Sequence, residues 1–196
     1  MMKKRLLTFL IAFFSISSIS FSIEPDVFVQ STVNRASKLL SENISKDGKI
    51  EKLKLIAKET VDIKGIGFYT LGSKRKSLSD EEKKRYSILF EEYFLKSFSS
   101  RLAEYTNPEI EVTNKEKLNS NYTIVNSVLK STKERPEINI DWRIYTKDPD
   151  NPLIRDLIIE GLSLARTQKE EFASVLGSND NNIDALFKVL KEFSNN

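Results

Sequence analysis

Ile138-Asn139-Ile140-Asp141-Trp142-Arg143-Ile144-Tyr145 alternates apolar and polar side chains without a break. Successive side chains of a strand point to opposite faces, so Ile138, Ile140, Trp142 and Ile144 share one face. Asn139, Asp141, Arg143 and Tyr145 take the other. One packed and one wetted face is the mark of an antiparallel sheet. Similar runs flank this one, at 110–112, 122–130 and 154–160, rich in Ile, Val, Leu and Tyr. Arg135-Pro136 and Asp148-Pro149-Asp150-Asn151-Pro152 have turn composition between them.

Outside this stretch the apolar period changes to that of helices. Val29, Val33, Ala36 and Leu40 form one helical face after Pro25, a residue suited to a first turn. Ile50, Leu53, Ile56 and Ala57 mark a second, lysine-rich helix after Asp47-Gly48. From Asp62 to Leu71 a short apolar helix is expected, with Asp62 as N-cap and Gly72 just past its end. Gly65 and Gly67 weaken it. Gly72 to Leu78 reads as a basic connector carrying Lys74, Arg75 and Lys76. Ser79 and Glu82 make a capping box that opens the longest helix, to Tyr105. Tyr86, Phe90, Phe94, Phe98 and Leu102 follow at four-residue steps. Such steps overshoot 3.6 residues per turn, so the row winds around the helix and can line a hollow as well as a core. Two closing helices are expected at 164–176 and 182–193. Helices, then strands, then helices give an α+β class, with an antiparallel twisted sheet of about four strands packed with several helices.

Composition excludes much chemistry. The 196 residues contain no histidine and no cysteine. Imidazole bases, Cys–His dyads, ordinary zinc sites, iron–sulfur clusters and disulfides are therefore absent. The formal charge is +3, and all of it comes from Lys3, Lys4 and Arg5. An uncharged stretch, 6–21, follows them, and Ser20 and Ser22 stand at the −3 and −1 positions of a cut before Ile23. Residues 1–22 thus read as a secretory signal peptide and 23–196 as a single domain. Without its leader the chain is neutral, which argues against nucleic-acid binding.

No catalytic or metal constellation emerges. Asp156 and Glu160 share a strand face, but four residues separate their α-carbons by about 13 Å. That exceeds the spacing of a glycosidase pair, and structural capping is the better reading. Asp148, Asp150 and Asn151 lack the glycine and distant glutamate of a calcium loop. No cofactor and no metal are expected. The aromatic row remains, as a filled core or as the wall of an apolar ligand cavity.

In order, these segments resemble the MlaC family of toluene-tolerance type periplasmic phospholipid-binding proteins. The resemblance rests on Asp62-Ile63 followed by Leu71-Gly72, and on Leu78-Ser79 opening a helix with Phe90, Phe94, Leu102 and Tyr105. Above all it rests on Ile154-Arg155-Asp156-Leu157-Ile158-Ile159-Glu160-Gly161-Leu162-Ser163-Leu164. The chain departs from the family pattern at Lys74-Arg75-Lys76, Pro152, Phe98 and Trp142. The resemblance implies a non-enzymatic periplasmic carrier that shuttles glycerophospholipid by its acyl tails. Its implied partners are an outer-membrane lipoprotein–porin complex and an inner-membrane ABC transporter with an MCE-type domain. The expected lipid-binding wall is Ile63, Ile66 and Tyr69, then Phe90, Phe94 and Phe98, then Val125, Ile140, Trp142, Ile144, Leu157 and Ile159. Three other readings stay open: an envelope adaptor with a filled core, a carrier of hopanoid-type lipid, and a serine or carboxylate hydrolase.

Overall fold

The structure is a computed structural model that describes residues 22–195. The expected signal peptide, 1–22, lies almost wholly outside the described residues. Among the described residues six α-helices, α1 (Pro25–Leu40), α2 (Lys46–Thr60), α3 (Ile63–Thr70), α4 (Asp80–Leu102), α5 (Leu164–Gly177) and α6 (Ile183–Asn195), accompany one sheet. The sheet contains β1 (Ile110–Asn119), β2 (Tyr122–Leu129), β3 (Ile138–Tyr145), β4 (Leu153–Ile159) and β5 (Leu162–Ser163). It is antiparallel throughout, in the order β1-β2-β3-β4-β5. The α+β class holds, and the four expected strands are joined by the two-residue β5.

β1 runs seven residues beyond the expected 110–112. Its distal part is exposed on both faces, so no hydrophobic alternation betrays it there. It is an edge strand with two register shifts and with Lys115 and Lys117 along it, features that discourage strand addition. β5 exists because Glu160 and Gly161 both adopt positive φ, 48° and 81°. That is the pairing a two-residue type I′ hairpin requires. The Glu160 carboxylate accepts the Asn139 backbone N–H and ties this turn to β3.

The helices are fixed by local chemistry. The Ser79 hydroxyl accepts the Glu82 N–H, and the Glu82 carboxylate accepts the Ser79 N–H. Asp62 caps α3 by accepting the Gly65 N–H at 2.7 Å. Gly72, φ +57°, ends it. The expected basic connector between α3 and α4 contains a 3-10 turn, Gly72–Lys76.

Gly65 and Gly67 sit inside α3 despite their low helix propensity because neighbours occupy the space of a side chain. A Cβ on Gly67 would stand 2.7 Å from Phe90 Cδ1, and one on Gly65 would stand 2.6 Å from Arg155 Cζ. Close approach of α3 to α4 and to β4 is what the two glycines provide. The seam is pinned by a buried pair. Thr70 donates its only hydroxyl proton to the Gly67 carbonyl, so Tyr86 O–H donates to Thr70 Oγ1 across 2.8 Å. Burial raises the Tyr86 phenol well above its ordinary value, and the Thr70 contact only partly opposes this.

Candidate functional site: two apolar cavities and a polar recess

The aromatic row of α4 is a continuous ladder. Tyr86 and Phe90 stack at 5.7 Å, Phe90 and Phe94 lie 6.1 Å apart, and Phe94 and Phe98 stack at 5.4 Å. Each four-residue step turns the row by about 40°. Tyr86 and Phe90 are fully buried, whereas Phe94 and Phe98 are only half-buried. The row therefore leaves the core and enters a cavity.

That aromatic cavity has a volume of about 200 Å³. Phe90, Tyr93, Phe94 and Phe98 of α4 form one side, Trp142 and Leu157 of the sheet another. Ile66, Leu164 and Ala165 also belong to its apolar wall. Ser97, Arg101, Gln168 and Glu171 give it a polar border between α4 and α5. Across that border Tyr93 donates to Gln168 Oε1 at 2.7 Å, and Gln168 donates to Glu171 at 2.8 Å. Burial, and then the Glu171 charge, raise the Tyr93 phenol above its ordinary value.

A second cavity of about 130 Å³ lies between the sheet and the pair α1 and α2. Val33, Leu40 and Leu53 face Ile140 and Ile159 there. Val61, Phe98, Trp142, Ile154 and Leu157 belong to the walls of both cavities. The two are thus neighbouring compartments of one apolar layer, divided chiefly by side chains. An apolar cavity of about 150 Å³ already stays dry and takes up hydrocarbon.

Of the twelve residues expected on the wall, eight line these cavities: Ile66, Phe90, Phe94, Phe98, Ile140, Trp142, Leu157 and Ile159. Ile63, Val125 and Ile144 are instead packed into the core. Val125 lies beside Trp142 in the sheet register, and Ile144 beside Ile154. Tyr69 is 42% exposed and borders a separate recess with Arg143 and Arg155. The α1–α2 wall was missed. Its apolar spacing is visible in the sequence, but nothing there distinguishes a cavity wall from a core face.

The two carboxylates weighed as a catalytic pair have structural tasks. Asp156 is 4% exposed. Its Oδ2 accepts from Ser163 Oγ at 2.6 Å and its Oδ1 accepts the Ala165 N–H at 3.0 Å. Ser163 Oγ in turn accepts the Arg166 N–H. Asp156 and Ser163 together hold the N-terminus of α5, where negative charge is favoured. Among the described residues no cluster of acidic side chains is placed to hold a metal ion. No described helix is long and apolar enough to cross a membrane.

The family model for MlaC protein matches residues 30–192. Among solved structures, the fold is similar to that of a phospholipid-binding protein from Ralstonia solanacearum, determined in complex with a phospholipid. The TM-score is 0.73 at 18% identity, over 88% of this chain and 97% of that one. No curated protein sequence matches this chain.

Proposed function

The chain belongs to the MlaC family, and from that premise we propose that it is a periplasmic carrier that holds a glycerophospholipid by its acyl tails. The observation that carries the reading is the pair of apolar cavities sharing the Phe98–Trp142–Leu157 wall. Two adjoining compartments suit two tails. Each CH₂ withdrawn from water contributes about 0.8 kcal/mol, so one long chain left in water costs on the order of 10 kcal/mol. A carrier has to offset nearly all of that. Chemistry is not required of it, and the protein is proposed to have no enzymatic role. The Ralstonia solanacearum neighbour, solved with phospholipid, supports the choice of ligand.

In this proposal residues 1–22 are a cleaved signal peptide and 23–196 form one lipid-binding domain. The carrier passes lipid between an outer-membrane lipoprotein–porin complex and an inner-membrane ABC transporter with an MCE-type domain. Purification without detergent, organic extraction and mass spectrometry test the core of the proposal. Stoichiometric phospholipid is expected. A protein that is empty as isolated, and that takes no lipid from vesicles, would overturn it.

A further inference from the structure

We propose that the recess beside the aromatic cavity, built around Arg143 and Arg155, receives the phosphate of the lipid whose tails the cavities hold; this rests on the carrier reading above. The recess has a volume of about 290 Å³. Tyr69, Asn119, Tyr122 and the two arginines stand on its wall, with Asp156 the only acid among its lining residues. Ile66, Asp156 and Ala165 line the recess and the aromatic cavity alike. A ligand with an apolar and an anionic end would reach from one to the other past these three side chains.

The two arginines differ in what they have left to give. Arg155 is the extra residue of the β4 irregularity, where Arg143 pairs with Asp156 and Ile144 with Ile154. Its Nε donates to Asp62 at 2.6 Å, its Nη1 reaches Tyr122 Oη at 3.3 Å, and its guanidinium lies 4.4 Å over the Tyr145 ring. It is a fixed part of the wall. Arg143 has one long ion pair, to the buried Asp156. Its nearest carboxylate oxygen, Asp156 Oδ2, is 3.9 Å from Nη1, beyond hydrogen-bond range. That oxygen already accepts from Ser163. Arg143 Nε is buried and meets no acceptor among the described residues. With Nε enclosed, the Nη groups of this 38% exposed side chain are the donors that phosphate oxygens in the recess would meet. The Lys169 ammonium stands 5.2 Å over the ring of Tyr69, a lining residue, and adds positive charge nearby.

The test compares lipids with and without phosphate. Delipidated protein is incubated with phosphatidylglycerol vesicles containing a minor fraction of diacylglycerol with the same chains. Bound lipid is then extracted and counted by mass spectrometry. Wild type is expected to enrich phospholipid over diacylglycerol by about tenfold relative to the vesicle, as charge-assisted hydrogen bonds warrant. Arg143→Met is expected to bring that ratio near unity with total lipid unchanged, and Arg143→Lys, which keeps the charge and loses the fork, to keep only part of it. A wild-type ratio in Arg143→Met overturns the proposal. If neither variant folds, the wild-type protein decides. Its Arg143 Nε–H resonance is expected to move on loading with phosphatidylglycerol and not with diacylglycerol. Movement with inorganic phosphate but not with phosphatidylglycerol would assign the recess to free phosphate and overturn the headgroup assignment. Wild type that loads neither lipid defeats the carrier reading itself, a failure visible before any variant is made.

Discussion

The Trp142 indole N–H donates to Ser127 Oγ across 2.8 Å, and the Ser127 hydroxyl donates to the Ile140 carbonyl at 2.9 Å. All of this is buried. One hydroxyl thus serves as acceptor and donor at once, and it fixes the ring that forms part of the wall of both apolar cavities.

Removing that hydroxyl has a defined cost. Ser127→Ala leaves the indole N–H without a partner in a dry site, a loss of about 1–3 kcal/mol. A lower urea midpoint with an unchanged slope is the expected result. Trp142 is the only tryptophan, so its fluorescence reports on the cavities alone. Its emission is expected to change when the wild-type protein meets phospholipid vesicles.

The wall and the core behind it should respond differently to a charge. Leu157 is half-buried and lines both cavities, while Val125 is fully buried behind the wall. Leu157→Asp is expected to fold and to carry several-fold less phospholipid. Val125→Asp is expected not to fold, because an unpaired charge has no water there. Circular dichroism and extraction followed by mass spectrometry separate the two outcomes. Normal lipid content in folded Leu157→Asp would count against the cavity as the binding site.

Two alanine substitutions at helical glycines should have opposite signs. In Gly67→Ala the new methyl meets the Phe90 ring, which is 2% exposed and cannot retreat. A loss of about 1–3 kcal/mol is expected from overpacking. Nothing lies within 4 Å of a Cβ on Gly177, at the end of α5. Gly177→Ala is therefore expected to gain up to about 1 kcal/mol. Thermal midpoints compare the pair directly.

Alkaline pH should destabilise the fold through buried phenols. Burial raises Tyr86 and Tyr93 in the folded protein, while an unfolded tyrosine titrates near about 10. Below that pH both states keep the proton and the contribution of each phenol is complete. Above it the unfolded chain releases the proton first, so stability falls by up to about 1.4 kcal/mol per pH unit for each such phenol. Tyr86→Phe should flatten the pH dependence above 10 and, through loss of the Thr70 contact, cost about 1 kcal/mol at neutral pH. Chemical denaturation across pH 8–12 checks both effects.

Much of this architecture is legible because it is local. The Ser79–Glu82 box, the Asp62 cap and the alternation around Trp142 each lie within a few residues. What escaped the sequence depends on partners far along the chain. Gly65 and Gly67 count against a helix until Arg155 and Phe90 are seen where their side chains would go. The outer part of β1 has no apolar face to announce it. Val33 and Leu53 show the spacing of a packed face, and only the meeting of α1 and α2 with the sheet leaves a cavity beneath them. Arg143 and Arg155 gave no signal as a pair, since an irregularity in β4 brings them to one recess.

Because the strands follow one another across the sheet in chain order, each pairing closes only a short loop. Contacts of low sequence separation are reached early in folding, at little cost in chain entropy. The chain also has no cysteine, so no oxidation step can hold it back. A molecule put together this way can add one hairpin after another as it emerges from a narrow channel. The step that must wait is the packing of α6 against α4, whose residues stand 99 apart in sequence at Arg85–Asp184.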